Sequence, residues 1–156
     1  MGKNRKNRVR EKYKPVIYID MDDTLCDYSG AFLLAIMKTD KILYPQSQLK
    51  FFENLEPIKG AVEAYNKLKE HYRVSILTAP SVRNPLSYME KRLWVEKHLG
   101  LDECDTLNIC KDKTALRGAY LIDDMPQVGK FNPEWEQIYF RSPEFPDWES
   151  VLAYLL

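Results

Sequence analysis

The sequence has few of the residues that cross-link small proteins or bind zinc. Its 156 residues include three cysteines and two histidines. Cys26, Cys104 and Cys110 are an odd number without paired spacing, and His71 and His98 form no cluster with them. We therefore expect neither a disulfide framework nor a zinc site. Reduced thiols of this kind are typical of a cytoplasmic protein.

Long hydrophobic runs are also missing. The longest apolar run, residues 31–37, lies inside the chain. A helix that crosses a membrane needs about 20 apolar residues, and a secretion signal needs an apolar segment near the N-terminus. The sequence therefore predicts no membrane span, no secretion signal and no membrane partner.

Net charge is zero over the whole chain, but it is unevenly distributed. Residues 1–14 carry seven Lys or Arg and one Glu, which leaves 16 basic and 22 acidic residues elsewhere, a net charge of −6. A mild excess of acidic residues argues against a nucleic-acid partner for the folded domain. We interpret residues 1–14 as a solvated, flexible basic arm, with contact to an anionic partner as the alternative. The remaining residues, 15–156, are enough for one domain and hardly for two.

A buried strand followed by acidic residues is the most informative feature. Residues 16–19 are apolar or β-prone and are followed by Asp20, Asp22 and Asp23. Because side chains alternate along an extended segment, Asp20 and Asp22 leave the strand on the same side. Two carboxylates so close repel each other unless a cation lies between them, and oxygen ligands favour Mg²⁺. The alternative is an acidic turn without a metal.

Two later strands also end in polar residues. Residues 73–77 precede Thr78, residues 119–122 precede Asp123 and Asp124, and Lys113 comes shortly before that strand. Ligands of open parallel sheets bind beyond the carboxyl ends of the strands. Phosphoryl transfer needs a nucleophile, metal-binding carboxylates, a hydroxyl donor and an ammonium group in one place, and these residues provide all four.

The strands alternate with helical patterns, which predicts an α/β protein with a doubly wound parallel sheet. Further strands are predicted over 106–109 and 137–140, and helices over 60–70, 86–99 and 148–155. Residues 27–58 are predicted to form a small helical cap inserted after the first strand. In it we expect a helix that contains residues 31–38 and begins after Asp27 or Ser29, and a second short helix over 46–54. Because residues 31–38 are apolar on most faces, the first helix is expected to be buried or to contact another layer.

In order and spacing, these motifs resemble the four signature motifs of the haloacid-dehalogenase superfamily of phosphotransferases, from about residue 16 to residue 126. The resemblance implies a Rossmann-like fold with Asp20 as the nucleophile that forms an aspartyl-phosphate. Asp22 would be the general acid and base and would give its backbone carbonyl to the metal; a simple metal ligand is the alternative for its side chain. Thr78 and Lys113 would bind phosphate oxygens, with Lys111 as the neighbouring alternative to Lys113.

A narrower resemblance involves several separated segments. Residues 51–57 with 60–64, 88–91 with 94–97, 111–114 and 121–126 are similar to the 5'(3')-deoxyribonucleotidases. The resemblance implies that Mg²⁺ is bound by Asp20, Asp22 and Asp124, with Asp123 completing the site. It implies that phosphate is bound by Thr78, Lys91 and Lys113. It also implies that Tyr28 lines the nucleotide pocket. Which of Asp123 and Asp124 binds the metal directly is left open.

The chain departs from that family in the cap. The segment with further aromatic residues that sandwich the nucleobase is missing between residues 37 and 51, so weaker nucleotide binding is expected. We predict a Mg²⁺-dependent phosphatase for a small-molecule phosphate ester, most simply a (deoxy)nucleoside monophosphate. The alternatives are another small phosphate ester, a nucleic-acid end phosphate, or a binding protein that keeps the fold without turnover.

Overall fold

The computed structural model describes residues 14–39 and 41–156. The predicted basic arm therefore lies outside the described residues, except for Lys14. The fold is built on a five-stranded parallel sheet in the order β3-β2-β1-β4-β5. The strands are β1 (Val16–Ile19), β2 (Arg73–Thr78), β3 (Leu107–Ile109), β4 (Arg117–Asp123) and β5 (Glu134–Tyr139). The predicted parallel α/β fold is confirmed.

Both faces of the central strand β1 are covered. Ile17 and Ile19 point into the larger hydrophobic cluster, while Tyr18 points into a smaller one on the other face. This alternation follows from the two-residue repeat of a strand. The larger cluster includes buried side chains from three helices, among them Tyr65 and Trp94. A strand buried in this way fixes the backbone that leads directly into Asp20.

Three helices lie where the sequence predicts them, within about two residues. They are α2 (Ala61–His71), α3 (Ser87–His98) and α4 (Trp148–Leu155). Asp147 caps α4 through its carboxylate, which accepts from the Ser150 amide at 2.9 Å. Gly100 follows the end of α3 at φ +114°, where a side chain would be strained. Local capping chemistry therefore fixes these ends.

The first cap helix, α1 (Tyr28–Lys38), is capped by Asp27, whose carboxylate accepts from the Gly30 amide at 3.0 Å. None of its residues is buried, so burial is the wrong one of the two expectations. Contact with another layer is confirmed, since Tyr28 and Ala31 pack against the larger hydrophobic cluster. Leu34 and Met37 are 60% and 74% exposed. No helix of the described ranges is both long and apolar enough to cross a membrane.

The prediction of a second cap helix over residues 46–54 is also wrong. A single 3₁₀ turn, Pro45–Ser47, is followed by irregular turns. Lys50 has φ +65°, and the backbone amides of Lys50 and Phe52 donate to the buried carboxylate of Glu90 at 2.8 and 3.0 Å. These amides thus bind a side chain of α3 instead of carbonyls one turn earlier, so no helix continues. Glu90 thereby holds the returning cap segment on α3.

Candidate active site

Three neighbouring strand ends meet at one edge of the sheet. Asp20 directly follows β1, Thr78 ends β2 and Asp123 ends β4, and these three strands are adjacent. The Asp20 amide donates to the Ile122 carbonyl at 2.9 Å, so the β1–β4 pairing extends to the site. The sheet order therefore brings together side chains that are about 100 positions apart in sequence.

Three carboxylates form one cluster at this edge. Oxygens of Asp20, Asp123 and Asp124 lie within 4.8 Å of one another, the one such group found in the described part of the chain. Burial, followed by the charge of Asp20, raises the pKa of Asp123 to about 6. The same two causes raise the pKa of Asp124 to about 7. An all-oxygen donor set with excess negative charge fits a divalent cation.

Lys113 is the ammonium group inside this cluster. Its Nζ lies 2.7 Å from Oδ1 of Asp20 and 2.6 Å from Oδ2 of Asp123. Burial acts to lower the pKa of Lys113, but the two carboxylates outweigh it and the pKa is raised. The residue is held in a short 3₁₀ turn capped by Asp112. Lys111, the alternative considered from the sequence, is exposed at the edge of a neighbouring cleft.

A second buried ammonium group lies beside the first site. Lys91 is fully buried, and its Nζ donates to Oδ2 of Asp22 at 2.8 Å and to Oγ1 of Thr78 at 2.7 Å. Because Thr78 accepts from Lys91, its own hydroxyl proton is free to be donated to a ligand. Burial and the charge of Asp20 raise the pKa of Asp22, although Lys91 opposes the shift.

The Asp22 side chain thus points to Lys91 and is not in the carboxylate cluster. A metal role for Asp22 through its backbone carbonyl, as the resemblance implies, stays a prediction.

Two contacts at the site have no signal in the sequence. Arg141, in the turn after β5, lies 3.3 Å from the carboxylate of Asp23. Asp23 also accepts from the backbone and hydroxyl of Ser29, which fastens the start of α1. Gln127 donates to Asp123 at 2.8 Å. Arg141 is more than 100 positions from Asp23, so only the folded chain reveals the pair.

A cleft of about 260 Å³ lies between the cap and the loop after β2. Most of its walls come from the cap and from that loop, and the segments after β1 and β3 add one residue each. The lining residues are Asp22, Tyr28, Gln46, Phe52, residues 79–83 and Lys111. Tyr28 therefore lines the cleft. Its place beside a nucleotide stays a prediction. Its ring also packs against Phe32, Phe51 and Phe52 with centroid separations of 5.6–6.0 Å. Phe52 is a fully buried core residue.

The parallel sheet, the aspartates and lysine at its strand ends and the cap after β1 define a hydrolase fold of the haloacid-dehalogenase type. A haloacid dehalogenase-like hydrolase from Xanthomonas campestris has a similar structure, with a TM-score of 0.57 over 91% of this chain and 94% of that chain. The two are 12% identical in sequence, so this likeness concerns the fold alone.

The chain belongs to the 5'(3')-deoxyribonucleotidase family. The family model "5' nucleotidase, deoxy (Pyrimidine), cytosolic type C protein" matches residues 37–146. A protein of Vibrio phage KVP40 whose name assigns it to the 5'(3')-deoxyribonucleotidases is 37% identical over 95% of this chain and 88% of its own length. The mitochondrial 5'(3')-deoxyribonucleotidase of Mus musculus is 29% identical over 81% of this chain and 72% of its own length. The predicted family is confirmed, and so is the predicted haloacid-dehalogenase-like fold.

Proposed function

We propose that this protein is a Mg²⁺-dependent phosphomonoesterase that hydrolyses (deoxy)nucleoside monophosphates through an aspartyl-phosphate on Asp20. Its family makes it a phosphoric monoester hydrolase. The observation that carries the proposal is the position of Lys113, which contacts Asp20 and Asp123 at the same strand edge as Thr78 and Lys91. The free cysteines suit a cytoplasmic enzyme.

Asp20, Asp123 and Asp124 are the residues that would hold Mg²⁺, together with the backbone carbonyl of Asp22. The ion, when bound, would neutralise phosphate oxygens, so that an anionic nucleophile can approach an anionic substrate. The close carboxylate oxygens and the raised pKa values of Asp123 and Asp124 support this assignment.

Two displacements at phosphorus complete the reaction. In the first, a carboxylate oxygen of Asp20 forms a bond to phosphorus, the bond to the ester oxygen breaks, and Asp22 gives its proton to that leaving oxygen. In the second, Asp22 takes a proton from water, the water oxygen attacks phosphorus, and phosphate leaves as the Asp20 carboxylate is regenerated. The raised pKa of Asp22 supports its role as the acid of the first step.

The phosphate group would lie between two cationic groups. Lys91 and Thr78 would donate to its oxygens from one side, and Lys113 from the other. Both lysines are buried, so neither charge is weakened by bulk water. The two ammonium groups would thus stabilise the negative charge on the oxygens of the phosphoryl group throughout the transfer.

The cleft supports a small leaving group. At about 260 Å³ it is below the usual range of ligand pockets. The resemblance also implies that the base-sandwiching segment of the family is missing from this sequence. Another small phosphate ester is therefore the second candidate substrate.

A panel of phosphate monoesters tests the proposal. With Mg²⁺, the protein should hydrolyse deoxyribonucleoside monophosphates, and a chelator should abolish the activity. Asp20→Asn should keep the fold, as judged by circular dichroism, and lose at least about a thousandfold in kcat. Activity that survives chelation, or an Asp20→Asn variant within tenfold of wild type, would contradict the mechanism. Turnover of sugar phosphates alone would contradict the substrate class.

A further inference from the structure

An amide group in the wall of the cleft lacks a partner. Oε1 of Gln46 is buried and accepts no hydrogen bond from the described part of the chain. A buried carbonyl oxygen without a donor is unfavourable, and in native proteins such an atom calls for an explanation. Rotation about the last side-chain torsion exchanges the amide oxygen and nitrogen at little cost, so either can face the cleft. Gln46 as a whole is only partly buried and lines the cleft, so the outer end of its amide can hydrogen-bond to a ligand there.

The backbone of Gln46 is firmly held. Its carbonyl accepts from Nδ2 of Asn84 at 3.0 Å, and Asn84 is itself buried. The next residue, Ser47, donates through Oγ to the carbonyl of Arg83 at 2.7 Å. These two bonds join the 3₁₀ turn of the cap to the loop after β2. The Gln46 amide is therefore presented from a fixed wall of the cleft.

Arg83 is an exposed residue of that loop. Its guanidinium carbon lies 4.3 Å from the ring centroid of Tyr44, and Arg83 is among the residues that line the cleft. The contact with Tyr44 restrains the guanidinium group. Guanidinium planes stack on nucleobases, and every base has a face that suits such stacking.

We propose that Gln46 and Arg83 form the nucleobase subsite of this protein: Arg83 stacks on the face of the base and Gln46 hydrogen-bonds its edge. The inference rests on the proposed function and adds the residues that recognise the leaving group. Asp22 and Tyr28 line the same cleft, so a phosphate beside Asp22 and a base beside Gln46 fit one substrate. The subsite takes the place of the missing aromatic cap segment.

Deoxyribose 5-phosphate provides the test, because it keeps the reacting ester and has no base. Gln46→Met removes the amide at nearly constant length, and Arg83→Lys keeps the charge but removes the plane. Each should lower kcat/KM for deoxyribonucleoside 5'-monophosphates about tenfold. Neither should change kcat/KM for deoxyribose 5-phosphate by more than about twofold. Gln48→Met, at an exposed position two residues away, is the matched control and should leave both substrates unaffected.

Other results would overturn the subsite. Equal losses on the two substrates would give Gln46 and Arg83 a structural role, and nucleotide rates unchanged in both variants would remove them from recognition. If Gln46→Met does not fold, as judged by its thermal midpoint, the Arg83→Lys variant tests the subsite alone. Arg83 is exposed, so this substitution should not affect folding. If the wild-type protein hydrolyses no nucleotide, the proposed function itself is overturned. If it hydrolyses nucleotides equally well with and without these two side chains, only the subsite is overturned.

Discussion

The Nζ atom of Lys113 lies 2.7 Å from Oδ1 of Asp20, and both side chains are almost completely buried. The same ammonium group contacts Asp123 at 2.6 Å. One cation therefore stabilises two carboxylates in a site that would also bind a metal ion. A buried charge that loses its partner is far more costly than an exposed one. The site should therefore depend on Lys113 for stability as well as for chemistry.

Replacing Lys113 by Met should lower the free energy of unfolding by about 3–5 kcal/mol, because Asp20 and Asp123 lose their buried counter-charge. The measurement is urea denaturation in the presence of a chelator. Lys111→Met, at an exposed position two residues earlier, is the control and should change stability by less than about 0.5 kcal/mol. Similar small losses in both variants would show that Lys113 does not stabilise the carboxylate cluster.

Metal binding should weaken as the pH falls. In the metal-free protein the pKa values of Asp124 and Asp123 are raised to about 7 and about 6. Groups with raised pKa values stabilise the fold most at low pH, and this contribution is lost as the pH rises through those values. Metal binding requires the deprotonated groups. Added Mg²⁺ should therefore raise the thermal midpoint more at about pH 8 than at about pH 5.

Thermal unfolding with and without Mg²⁺ at the two pH values checks this expectation. Asp124→Asn removes one ligand and one titrating group, so the stabilisation by Mg²⁺ should be small in that variant at both pH values. A Mg²⁺ effect of equal size at both pH values in the wild-type protein would argue against Asp123 and Asp124 as ligands.

Asp22→Asn should slow the hydrolysis of an alkyl phosphate far more than that of an activated aryl phosphate. An alkoxide needs a proton to leave, whereas an activated phenolate leaves without one. We expect about a hundredfold or greater loss of kcat/KM for the alkyl ester and a clearly smaller loss for the aryl ester. Equal losses for the two esters would assign Asp22 to binding, in line with its contact to Lys91.

Tyr28→Ala tests the aromatic residue that lines the cleft and also packs the cap. It should raise KM for nucleotides and lower stability by about 2 kcal/mol, since its ring contacts Phe51 and Phe52. Hydrolysis of a small aryl phosphate should be nearly unchanged, because that substrate does not extend along the cleft. Phe32→Ala is the control: Phe32 packs on Tyr28 but does not line the cleft. If both variants raise the nucleotide KM equally, Tyr28 acts only through cap packing.

The cap shows where prediction from the sequence fails. The apolar pattern of residues 31–38 correctly indicates a helix, but it does not say that the helix lies at the surface. The pattern of residues 46–54 is compatible with a helix, yet Glu90 accepts two backbone hydrogen bonds from this segment and holds it irregular. A distant carboxylate thus determines the local structure of residues 46–54, and it lies too far along the chain to be included in a local sequence pattern.

The parallel α/β fold, the ends of most helices and the aspartates that follow the strands can be predicted from local sequence patterns. They depend on local physical chemistry: side-chain alternation, helical periodicity and capping. Three other relationships are visible only in the folded chain: Lys91 pairs with Asp22, Arg141 pairs with Asp23, and Gln46 and Arg83 share a cleft. Each of these relationships joins segments far apart in sequence. Their geometry follows from strand order and from how the cap returns to α3, which residue spacing along the chain does not encode.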